Sequence, residues 1–217
     1  MSELFDEVDE EVRREQLKKL WDRYSIYFIA LMVLVVAAVG GWRGYQYLEA
    51  KKAAEAGAAF EKAVELSEQD KHAEAETAFT DLAAKAPSGY RTLARLRAAA
   101  EASARDPKAA AKIYDDIAAD RSVSSEWQDL AKIRAAGLLL DSAGYADIQQ
   151  RLEASATPKS TFRHSAREML ALSAWHNNDM TAARKWLDAI AEDGETPPGL
   201  RSRAEALQAL LPPVAKS

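Results

Sequence analysis

The sequence predicts an all-α protein, with one N-terminal transmembrane helix followed by a solenoid of helical hairpins. Three observations predict it. About a fifth of the 217 residues are alanine, the strongest helix former, whereas glycine and proline number only 9 and 7. A run of 19 residues near the N-terminus carries no charge. In the remainder, a small residue and an aromatic four positions later recur at a spacing near 35 residues. The composition also excludes classes. A net charge of −5 argues against a nucleic-acid binder, which normally carries a basic excess. The absence of cysteine removes disulfides, zinc-thiolate sites, iron–sulfur clusters and cysteine nucleophiles.

Residues 1–23 are read as a cytoplasmic tail, with five basic groups against eight acidic ones. The uncharged run Tyr24–Trp42 follows. At the helical rise it spans about 28 Å, close to the hydrocarbon thickness of about 30 Å. Trp21, Tyr24 and Tyr27 mark one end and Trp42, Tyr45 and Tyr47 the other, as interfacial aromatic belts do. A cleaved signal peptide would have a shorter apolar core and a short basic leader. The small residues near Ala38 and Gly40 offer only a weak cleavage site, so the reading is an uncleaved signal-anchor. Arg13, Arg14, Lys18, Lys19 and Arg23 precede the span, whereas Arg43, Lys51 and Lys52 follow it. That bias predicts a cytoplasmic N-terminus and a C-terminal domain on the far side.

Residues 43–55 read as a helical connector, and 56–211 as stacked hairpins. The breaks predict hairpins at about 56–87, 89–120, 124–155 and 160–194, a capping helix at 199–211 ended by Pro212 and Pro213, and a tail at 212–217. Asp106–Pro107 and Thr157–Pro158 carry the signature of an N-cap followed by proline at the first helical position. Asp179 can cap a helix beginning at Met180.

The period is carried by named residues. Ala75 and Phe79 open it, Ala110 and Tyr114 repeat it, and Ala182 and Trp186 repeat it again. Ala63, Ala98 and Ala171 precede them on the first helix of each hairpin. A small residue lets two helices approach closely, and the aromatic fills the space beside the next hairpin. With Pro87 after the first unit, this spacing resembles the tetratricopeptide repeat. The third unit is degenerate: Ala146 falls on the period, but Gln150 stands where the aromatic belongs.

The whole layout resembles the ancillary subunit family of the bacterial Sec translocon. The resemblance rests on LKKLWDRYS at Leu17–Ser25, one span, VGGWRGYQ at Val39–Gln46, and then degenerate repeats. It implies a single-pass bacterial inner-membrane protein with a periplasmic repeat domain. It further implies association with the SecYEG channel and periplasmic chaperones, and transfer of newly exported clients. A membrane-tethered adaptor for envelope assembly or cell division is the alternative, and an inverted, cytoplasm-facing adaptor is a third reading.

No enzyme is expected. His72, His164 and His176 are too dispersed for a metal pair. His164, Ser165 and Glu168 share one helix without an oxyanion loop, so no triad is read there. Phosphate-loop, dinucleotide and nucleophile-elbow motifs are absent from the sequence. No cofactor, metal or small-molecule substrate is expected, and the partners are proteins. The candidate groove on the first helices comprises Phe60, Val64, Arg95, Ala99, His164, Arg167, Leu172 and Trp175. The competing reading has Phe60, Val64, Leu172 and Trp175 packed between hairpins. In the span, Gly40 and Gly44, with Ala37 and Gly41, are candidates for close helix–helix packing.

Overall fold

A computed structural model describes the backbone of residues 3–212 and the side chains of Arg14, Lys18, Lys19 and residues 21–212. The side chains of most of the charged tail, and Pro213 with the rest of the C-terminal tail, lie outside the described residues. Every regular element among the described residues is helical. The elements are α1 (Glu3–Glu68), α2 (His72–Lys85), α3 (Ser88–Ser103), α4 (Pro107–Ala119), α5 (Ser125–Leu139), α6 (Tyr145–Leu152), α7 (Arg163–His176), α8 (Met180–Glu192) and α9 (Pro198–Leu210). A short 3-10 turn, Ala154–Ala156, follows α6.

The chain divides into two compact units, Met1–Lys52 and Ala53–Ser217. The first unit is one helical rod. The predicted boundaries at 23 and 42 leave no mark on its backbone, which is helical from Glu3 to Glu68. Tyr27, Ile26 and Val36 are 71%, 70% and 68% exposed. The described part of α1, Trp21–Glu68, contains a stretch long and apolar enough to cross a membrane.

The second unit stacks hairpins through three apolar clusters. The first joins Ala56 and Ala63 of α1 to Ala75, Phe79 and Leu82 of α2 and to Ala94 and Ala98 of α3. The second joins Leu96 and Ala99 of α3 to Ala111, Tyr114 and Ile117 of α4 and to Ala131 and Ala135 of α5. The third gathers α5 through α9 and includes Leu170, Ala171, Trp186 and Leu187. Each cluster thus contains the second helix of one hairpin and the first helix of the next. That is how a solenoid buries a face no single hairpin can bury alone. Phe79 meets Phe60 edge-on at 5.2 Å between ring centroids.

Turn chemistry fixes the hairpins. Asp70 and Asn178 take left-handed φ values of 58° and 60°. After each, an amide reaches back five residues, Lys71 to the Leu66 carbonyl at 3.0 Å and Asp179 to Ala174 at 2.9 Å. Both are Schellman closures. The Asp106 carboxylate accepts from the Lys108 and Ala109 amides at 3.0 Å each, and Asp179 accepts from Ala182 at 2.9 Å. Two of the three expected caps therefore form.

Three details differ from the periodic reading. Thr157–Pro158 starts no helix: Thr157 ends the 3-10 turn and α7 begins at Arg163. In the third hairpin Ala146 and Gln150 are exposed, while Ile148 and Leu152 are buried, so its apolar face is displaced by two residues. In α8 the fully buried small residue is Ala183; Ala182 is only half-buried. The third hairpin is also held differently, with the Ser155 hydroxyl donating to Asp129 at 3.0 Å.

Candidate partner-binding groove

The charged residues at the corners between hairpins come first, because they decide which cations remain free. Asp120 and Asp193 are the residues at which α4 and α8 end. Each folds back on the amide two residues on, Ser122 at 2.9 Å and Glu195 at 3.1 Å. Each then takes an arginine from the first helix of its own hairpin. Arg95 donates to Asp120 at 2.6 Å, and Arg163 and Arg167 donate to Asp193 at 2.8 Å each. Arg167 is 6% exposed and also donates to the Ala156 and Ala189 carbonyls, at 3.0 Å each. The next residues repeat the pattern: Gln128 donates to the Asp120 carbonyl and Arg201 to the Asp193 carbonyl, both at 2.9 Å.

These contacts set the local charge states. Hydrogen bonds from the Ser122 hydroxyl and amide, then from Arg95, pull the Asp120 carboxyl down to about 2. The Arg163 hydrogen bond, with those from Glu195 and Arg167, holds Asp193 well below the usual carboxylate range despite its burial. Burial, with Arg163 beside it, lowers the pKa of His164. Its Nδ1 lies 3.3 Å from the Thr196 hydroxyl. A second polar knot closes the first corner. Glu101, 5% exposed, accepts from the Ser67 hydroxyl at 2.7 Å and meets His72 Nδ1 at 2.8 Å. It ties the α1–α2 turn to α3. Glu168 is bound by Arg203 at 2.6 and 2.9 Å, so its carboxylate is engaged away from His164 and Ser165.

The open surface lies between the first helices of successive hairpins. α3, α5 and α7 line a groove of about 380 Å³. Its walls include Leu130, Leu138, Phe162 and Met169, and its charged member is Arg134 on α5. Arg134 makes no ion pair or hydrogen bond among the described residues. Gly137, one residue before Leu138, leaves the helix backbone uncovered there; a Cβ at that position would meet only the tip of Met169, at 3.6 Å.

None of the eight residues expected on the groove lines this one. Phe60 and Val64 pack on the first apolar cluster, and Leu172 and Trp175 on the third, each partly buried. Ala99 is fully buried; its neighbour Ala100 faces the groove. His164 turns to Thr196, whereas Ser165 faces the groove. Arg95 and Arg167 are engaged at the corners. A helix turns about 100° per residue, so neighbours such as Ala99 and Ala100 face different ways. Ala37, Gly40, Gly41 and Gly44 are exposed, and nothing lies within 4 Å of a Cβ built on any of the three glycines.

The tetratricopeptide repeat-like domain family matches residues 18–184. Neither the curated proteins nor the solved structures gave a match.

Proposed function

The chain belongs to the tetratricopeptide repeat-like domain family, and from that premise we propose that it is a membrane-anchored scaffold for protein partners at the bacterial Sec translocon. The repeat domain supplies the binding surface, and α1 fixes that surface at the membrane. The observation that carries this reading is the pairing, in one chain, of a fully exposed apolar helical stretch with a stacked-hairpin domain. The translocon and periplasmic chaperones are favoured as partners by the flanking segments Leu17–Ser25 and Val39–Gln46. The excess of Lys and Arg before the span favours a cytoplasmic N-terminus and a periplasmic repeat domain in the inner membrane.

Two experiments test it. Photo-crosslinking from positions 30 to 45 in cells should capture a channel subunit; capture of an envelope-assembly or division protein instead would replace the Sec assignment. The natural chain lacks cysteine, so an Arg121→Cys variant offers one thiol. A membrane-impermeant thiol reagent should label it in intact spheroplasts, and labelling only after lysis would reverse the orientation.

A further inference from the structure

The α5 groove has a chemistry specific enough to name its occupant, given the scaffold reading above. We propose that it receives an extended segment of a partner protein in which apolar residues flank a single acidic side chain, whose carboxylate pairs with Arg134.

The argument begins with charge. Residues 24–217 carry 24 basic and 26 acidic groups, so the domain has no general positive field. The arginines nearest in role are already neutralised: Arg95 by Asp120, Arg163 and Arg167 by Asp193, Arg203 by Glu168. Arg134 stands in a groove whose lining holds no carboxylate and, apart from Ser103, Tyr114 and Ser165, is apolar. A guanidinium flanked by apolar walls favours a planar, bidentate anion, and a carboxylate supplies one.

Position decides between an internal acidic residue and a chain terminus. Leu130 and Leu138 lie one helical turn to either side of Arg134. The cation is therefore central in an apolar stripe about 12 Å long. That length matches about four residues of extended chain, with apolar contacts on both sides of the acid. Gly137 adds an independent indication. An exposed glycine inside a helix is destabilising relative to alanine, and alanine would fit here. What glycine provides is close approach of another backbone.

The test uses the full-length protein in nanodiscs and a displayed library of random octapeptides. Selection should enrich sequences with one Asp or Glu between apolar residues. Replacing that acid by its amide should weaken binding about tenfold or more, and Arg134→Gln should cause the same loss without adding to it. Gly137→Leu should block the enriched peptides while helicity and thermal midpoint stay close to those of the natural chain. Failure to enrich any sequence, enrichment of purely apolar sequences, or binding unchanged by Arg134→Gln would each overturn the proposal. Crosslinking in cells from a photoreactive residue at Ser165 separates this from the scaffold reading. A partner captured through a segment lacking an acid leaves the scaffold standing and removes the acidic-peptide assignment.

Discussion

At the residue scale, the polar interior is where stability is most sensitive. Arg167 places its guanidinium among two carbonyls and the Asp193 carboxylate. Arg167→Met removes those donors while keeping volume, and should cost about 2–4 kcal/mol in urea unfolding. A change under about 0.5 kcal/mol would show that the corner is not a stabilising tie. Ser173 is the converse case. Its hydroxyl is buried with no hydrogen-bond partner among the described residues, so Ser173→Ala should raise stability by about 1 kcal/mol in the same assay. The Asp120 corner predicts a pH dependence with a definite sign. Its carboxyl titrates near 4 in an unfolded chain and at about 2 in the folded one. Above about pH 4 both states are ionised and the stabilisation is complete. As pH falls from about 4 to about 2 the unfolded state takes up the proton first, and the stabilisation is lost. Asp193, also depressed, acts in the same direction. The urea midpoint should fall over that window, and Asp120→Asn should flatten part of the fall; an unchanged slope would exclude the corner as its source.

At the element scale, each hairpin depends on its turn and on its small residues. Asn178 sits at φ 60°, a conformation glycine adopts without strain, so Asn178→Gly should raise the thermal midpoint modestly, by about 0.5–1 kcal/mol in stability. A lower midpoint would show that the asparagine side chain contributes more than its backbone strain costs. The helices themselves were legible because their signals are local. Ala63, Ala75, Ala98, Ala110 and Ala171 are all buried, and periodicity alone pointed to them. Asp106 and Asp179 cap as their spacing foretold. Thr157–Pro158 misled because proline fits a turn as well as a first helical turn. The third hairpin misled because Ile148 and Leu152, not an alanine–aromatic pair, supply its buried face.

At the whole-molecule scale, the chain separates into a unit that exposes its apolar side chains and one that buries them. The full-length protein should therefore require detergent. A fragment beginning at Ala53 should stay soluble and helical by circular dichroism, with a cooperative thermal transition. Aggregation of that fragment would mean that residues before 53 belong to its fold. The opening charge of −5 also divides unevenly. Residues 1–23 hold most of the excess acid, which leaves the rest of the chain near neutral.

The sequence by itself determined the all-helical class, the membrane-length apolar run and most of the small residues at which hairpins meet. These follow from composition and period, which act over a few residues. Only the tertiary structure decided which arginines are free. Arg95 and Arg167 find their carboxylates 25 and 26 residues downstream, at a corner that no helical period pairs with them. Only the packing of α3, α5 and α7 side by side made a groove of Arg134, Gly137 and their apolar neighbours, because a face shared by three helices is a property of none of them alone.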